Sequence, residues 1–210
     1  MMQIKTSEYF HSIREIAKGF FEHSKGSHDW DHTLRVCALC ERIGFAEKAD
    51  GYVLRVAALL HDIGRIRQDQ SAGKICHAEK GAEMAAPVVQ RLPFSKEQQK
   101  NILHCIRSHR FRGTHLPRTS EAKVLFDADK LDAIGAIGVA RAYLFAGEIG
   151  ARLHSPDTDI EKTEAYSEDD TGYREFRVKL SRIRDRMLTP TGRDMARERH
   201  AFMERFLNNS

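Results

Sequence analysis

The sequence predicts an all-α fold. Apolar residues recur every three or four positions through most of the chain, helix-capping residues precede several of those runs, and no convincing period-two strand pattern interrupts them. The pivotal stretch is Tyr52 to Arg65, YVLRVAALLHDIGR. Eight of the nine residues from Tyr52 to Leu60 are apolar, with only Arg55 breaking the run. A helix apolar on nearly every side belongs inside a fold. Gly64 offers a left-handed stop beyond its end.

The remaining elements follow in order. Thr6 or Ser7 caps a first helix carrying Tyr9, Phe10, Ile13, Ile16, Ala17 and Phe20 on one face. Ser27-His28-Asp29 opens a second, through Leu34, Val36, Leu39, Cys40 and Ile43 to Gly44. After the central helix, Arg65 to Lys74 reads as a polar loop. HAEKGAEMAAPVVQRL is helical by the spacing of Ala82, Ala85, Val88, Val89 and Leu92, with a kink expected at Pro87. Ser95 and Gln98 form a capping box for the next helix. The loop Arg110 to Thr119 leads to one long helix from about Ser120, rich in Ala and Gly. The last two helices read as a hairpin. Tyr173, Phe176, Leu180, Ile183 and Met187 line one arm, a turn falls at Thr189 to Gly192, and Met195, Phe202, Met203 and Phe206 face back. The chain is expected to be a single domain over residues 1–210: a core of about 20–145, an acidic loop 146–172 and a helical hairpin 173–207.

Charge and cysteine usage narrow the class. The net charge is +4, but it is uneven. Ala146 to Gly172 holds eight acids and two bases, and Tyr173 to Leu207 holds ten bases and five acids. An acidic flap and a basic hairpin fit this better than a uniform nucleic-acid surface. The hairpin's aromatics are expected on its buried stripe, which argues against nucleic acid as a partner. No run approaches the roughly 18 apolar residues of a membrane span, and the N-terminus lacks a signal-peptide core, so a cytoplasmic location is expected. Cys37-x-x-Cys40 lies inside a helical pattern without a second pair, and reads as two packed thiols rather than a zinc or redox site. Gly135-x-x-Gly138 has no preceding strand and reads as helix packing, not as a nucleotide loop.

His61 and Asp62 stand side by side at the end of the core helix. A buried carboxylate without a partner costs several kcal/mol or takes up a proton. Either a divalent cation or an arginine such as Arg65 removes that cost. His32 in the second helix and Asp129 in VLFDADKLDAIG would come from two further core helices, as ligands do in bundle metal sites. Two imidazoles and two carboxylates suit a divalent ion with positions left open.

This set, His32, His61-Asp62 within LLHDIG and Asp129 within ADKL, resembles the HD-domain metal-dependent phosphohydrolase superfamily. DADKLDAIGAIGVARAY and MLTPTGRDMARERHAFMERFL look like a subfamily of small bacterial HD hydrolases, so that the likeness covers roughly residues 20 to 207. The resemblance implies a helical HD fold and a divalent ion (Mn, Co, Ni, Mg, Fe or Zn). It also implies hydrolysis of a phosphate ester or anhydride in a nucleotide or similar small molecule. His77 and His109 match positions where dinuclear HD proteins supply extra ligands, so they are expected to hold a second ion or to contact phosphate. His109 also falls on the inward face set by Ile102, Cys105 and Ile106. Alarmone hydrolases of the superfamily carry a Glu-Asp pair after the HD helix. This chain has Arg65 there, with Asp69 its nearest acid, which argues against an alarmone.

The expected roles are then complete. His32, His61, Asp62 and Asp129 hold the ion. Asp62, Asp69 and Asp132 are the catalytic carboxylates, the last two orienting water. Arg65, Lys74 and Lys130 bind substrate phosphate. His104 is expected to be solvated, and His11, His23, His115, His154 and His200 to lie on surface or loops. Two other functions fit the same residues: a di-iron oxygenase, if His77 and His109 are ligands, and a non-catalytic module that senses nucleotides.

Overall fold

The computed structural model describes residues 2–21, 29–71, 73–110, 115–155, 159–160 and 162–207. The expected cap segment at Ser27 and His28, and the placement of His23, lie outside the described residues. Among those described there are ten α-helices and no strand, as an all-α fold requires. The chain forms two compact units, Met1–Ala128 and Asp129–Ser210.

The first unit is built around α3 (Gly51–Leu60), whose N-cap Asp50 accepts from the amides of Tyr52 and Val53. Val53, Leu54 and Val56 to Leu60 are all buried. Each such side chain contributes about 1.5–3 kcal/mol for those of Val or Leu size. Around it pack α1 (Met2–Gly19), α2 (Trp30–Ala46) and α6 (Lys96–Ser108). Helix α5 (His77–Val89) packs on α6 and on α4 (Arg65–Gln70). The capping box of Ser95 and Gln98 forms as expected. Helix α7 (Ser120–Asp132) runs unbroken out of this unit and ends in the next.

Several local expectations are corrected. Helix α1 starts at Met2, so Thr6 and Ser7 lie inside it. Its buried face is Phe10, Ile13, Ala17 and, just beyond, Phe21, while Tyr9 and Ile16 are exposed. The polar stretch after Gly64 is not all loop, since Arg65 to Gln70 form α4. Gly64 itself is not left-handed, at φ −82°. It is needed for contact: a Cβ there would lie 2.3 Å from the carbonyl oxygen of His77 and 2.6 Å from the amide nitrogen of Gly81. The long helix from Ser120 is two helices. It breaks before Gly135, whose φ of +81° few other residues adopt.

The second unit holds α8 (Gly135–Glu148), α9 (Gly172–Val178) and α10 (Pro190–Leu207), with α8 packed on both others. The hairpin's first arm is shorter than its apolar spacing suggests. After Val178 it continues as two 3₁₀ turns, Leu180–Arg182 and Arg184–Arg186. Pro190 is the first residue of α10 rather than part of a turn, a position its fixed φ favours. Thr189 caps the helix by accepting from the amide of Gly192 at 2.9 Å. Met195, Ala196, His200, Met203 and Leu207 are buried on α10, whereas Phe202 and Phe206 stack on each other half-exposed. His200, expected at the surface, is buried, with Nε2 3.2 Å from a Glu204 carboxylate oxygen.

Candidate metal centre

Four imidazoles and one carboxylate converge in the first unit. His61 and Asp62 lie in the tight turn that leaves α3. His32 is the third residue of α2, where the capping side chain of Asp29 accepts from its amide at 2.9 Å. His77 opens α5, and His109 caps the end of α6. All five are at most 4 % exposed.

Two pairs face each other. His32 and His61 bring their Nε2 atoms to 3.4 Å, and His77 and His109 bring theirs to 3.2 Å. Asp62 lies between the pairs. Its Oδ2 is 3.9 Å from Nε2 of both His32 and His61. Its Oδ1 is 3.5 Å from Nε2 of both His77 and His109. The ligand atoms of Asp62, His77 and His109 lie within 4.8 Å of one another.

The outer nitrogens settle what these rings present. Nδ1 of His61 lies 2.7 Å from the carbonyl oxygen of Ala58, which can only accept. Nδ1 of His109 lies 2.7 Å from the carbonyl oxygen of Ile106, and Nδ1 of His77 lies 2.7 Å from Oε1 of Gln68. Each Nδ1 therefore donates, and in the neutral ring each Nε2 offers a lone pair. In the neutral His77–His109 pair the two facing lone pairs, beside a carboxylate that also only accepts, repel one another in a dry interior. A divalent cation is the group that turns this arrangement into attraction, so the donor set fits a metal ion.

Burial raises the pKa of the Asp62 carboxyl, but the Arg65 guanidinium outweighs it, joined by His61, His109 and His77 where those rings carry a second proton in place of a metal ion, and the group is held well below the usual carboxylate range. Nη2 of Arg65 lies 3.2 Å from both carboxylate oxygens. The arginine partner and the histidine cluster, alternatives in the sequence, are thus present together.

The other expected site residues are placed variously. Asp69 is exposed on α4, and the residues of that helix that reach the cluster are Arg65 and Gln68. Lys74 is exposed in the segment between α4 and α5. Asp129 is the first residue of the second unit, on unbroken α7, paired with Lys130. Asp132 is buried and accepts from Nη1 of Arg141 at 2.6 Å. His104 is half-buried and accepts from the amide of Arg118 at 3.1 Å. Gln68 escaped the sequence reading because it meets His77 across a loop, where no periodic spacing marks it. The cysteines are free, and burial pushes the Cys37 thiol up to about 12, as suits a packed thiol rather than a ligand or redox group.

Comparison with known proteins decides the family. The HD-domain family model matches residues 29–134. This chain belongs to the HD-domain family. YpgQ of Bacillus subtilis (strain 168), a protein described as uncharacterized, is 34 % identical over 214 residues, covering 99 % of this chain and 93 % of YpgQ. The crystal structure of YpgQ in complex with ADP aligns with a TM-score of 0.73 at 32 % identity, covering 95 % of this chain and 94 % of that one. A Bacillus thuringiensis protein described as an HD-superfamily hydrolase aligns with a TM-score of 0.76 at 26 % identity, covering 97 % and 95 % of the two chains. A predicted HD-superfamily hydrolase from an uncultured Thermotogales bacterium aligns at 0.68 and 28 %, covering 95 % and 89 %. The chain is thus like the HD-superfamily hydrolases along nearly its whole length.

Proposed function

We propose that this HD-domain protein is a metal-dependent phosphohydrolase that cleaves a phosphate ester or anhydride of a nucleotide or similar small phosphorylated molecule. One observation carries the reading. Three imidazoles, each with its Nδ1 proton tied to an oxygen, aim Nε2 at the carboxylate of Asp62. The ADP held by YpgQ supports a nucleotide as substrate.

In this reading His32, His61, Asp62 and Asp129 hold one ion, and His77 and His109, facing Asp62, hold a second ion or contact phosphate. When bound, the ion supplies Lewis-acid polarisation of a phosphoryl oxygen and acidifies water. The residues of the chain do the rest. The carbonyls of Ala58 and Ile106 fix the ring planes of His61 and His109, and Gln68 fixes that of His77. Arg65 offsets part of the carboxylate charge and sits where it can exchange that partner for a substrate phosphate. Lys74 and Lys130 are further phosphate contacts, and Asp69 orients water from the rim. Asp132, tied to Arg141, is assigned to positioning rather than to water.

A second reading has an observation in its favour. A di-iron oxygenase needs His77 and His109 as ligands, and both face Asp62 at 3.5 Å. Phosphate or pyrophosphate release from a panel of nucleotides, with Mn, Co, Ni or Mg added, tests the first reading. Release that vanishes in His61→Ala and Asp62→Ala is expected. Undiminished release in those variants would overturn it, and an iron-dependent radical signal after anaerobic purification would favour the second.

A further inference from the structure

We propose that Arg199 and Arg141 are positioning residues for Asp129, holding it in place by clamping the last turn of α7. This rests on Asp129 being an ion ligand, as proposed above.

Asp129 sits in the final turn of α7, which ends at Asp132. The last four carbonyls of a helix lack intrahelical donors, and that end carries partial negative charge. Here the amides of Ala133 and Ile134 meet the carbonyls of Lys130 and Leu131 in short-range turns, and groups from elsewhere in the chain must add to these for the turn to be held firmly. Two guanidinium groups from later in the chain do so. Nη1 of Arg199, on α10, donates to the carbonyl oxygen of Leu131. Nη1 of Arg141, on α8, donates to the carbonyl oxygen of Asp132 at 3.3 Å and to its carboxylate at 2.6 Å. The Arg141–Asp132 pair is nearly dry, with side chains 14 % and 2 % exposed.

The corner after α7 is shaped to admit the second clamp. Gly135 adopts φ +81°, and a Cβ there would lie 3.0 Å from Cγ and 3.2 Å from Cβ of Arg199. Only a glycine lets the arginine stem lie so close while the backbone turns left-handed. Both arginines and Gly135 lie beyond residue 134, where the HD-family match ends. The C-terminal helices thus have a defined task toward the site: they hold the helix end that carries one ligand.

Titration of Mn²⁺ into metal-free full-length protein tests this. Arg199→Met and Arg141→Met are each expected to weaken Mn²⁺ binding by roughly 10–100-fold, as loss of a group that orients a ligand does. Arg199→Lys, which keeps a donor on a similar stem, is expected to recover part of it. Met195→Ala, a packing change elsewhere on α10, is expected to lower Tm while leaving the Mn²⁺ affinity near wild type. Should Arg199→Met fail to fold, Arg199→Lys and Gly135→Ala carry the test, each expected to weaken binding. Wild-type affinity in the arginine variants, or an equal loss in Met195→Ala, would overturn the proposal. No Mn²⁺ binding by wild-type protein, or unchanged binding in His61→Ala, would instead sink the metal-site reading and this proposal with it.

Discussion

Asp62 is the residue on which the site turns. Its carboxylate lies between two imidazole pairs and under one guanidinium. A carboxyl held below its ordinary range stabilises the fold above the unfolded value of about 3.9, and that stability is lost as pH falls through the lower folded value. Acid denaturation of the metal-free protein is therefore expected to steepen below about pH 4, and Asp62→Asn should flatten that limb. An identical acid limb in the variant would contradict the assigned coupling. Gln68 gives a second test. Gln68→Leu removes the acceptor for Nδ1 of His77 and is expected to weaken ion binding roughly tenfold with little change in Tm. Unaltered affinity would show that His77 is no ligand. The HD pair was legible because imidazole beside carboxylate, after a buried run, needs a charge partner, whereas His77 and His109 were legible as site residues through the resemblance to the HD superfamily. Gln68, Arg141 and Arg199 were not. Their partners lie nine or more residues away in sequence and leave no local pattern.

Among the elements, α3 was the most legible and the turns that follow helices the least. An almost unbroken apolar run has one stable place, and seven residues of α3 are buried. Glycine carries no such single meaning. Gly64 looked like a helix stop, yet it is a point of contact between the HD turn and α5, where an added Cβ would lie 2.3 Å from the carbonyl oxygen of His77. Gly64→Ala sets a methyl against backbone that cannot give way without moving His77. It is expected to cost about 1–3 kcal/mol of stability by overpacking, and to weaken ion binding as well. A wild-type unfolding midpoint in urea would contradict that account. The break between α7 and α8 was hidden for a related reason. Ala and Gly continue the helical spacing across it, and only the left-handed φ of Gly135 marks the corner. Helix α4 is six residues long, too short for its polar sequence to show a period.

The family match covers residues 29–134, yet the likeness to YpgQ covers 99 % of the chain, so the relatives share the later helices too. Each of the two units has its own buried side chains, and among the described residues no helix is long and apolar enough to cross a membrane. Because the ion would bind only where ligands distant in sequence meet, it should favour the folded over the unfolded state. At an ion concentration 100 times Kd the gain is about 2.7 kcal/mol. Adding Mn²⁺ to chelator-treated protein is therefore expected to raise Tm, and His61→Ala to abolish the rise; an equal rise in both would point to non-specific binding. The most direct test is a count of ions. Elemental analysis of protein loaded with Mn²⁺ and freed of excess should find one or two ions per chain, and none in Asp62→Ala. A loaded wild-type protein that holds no ion would mean that Arg65 alone satisfies Asp62, and that the four histidines do not form a metal centre.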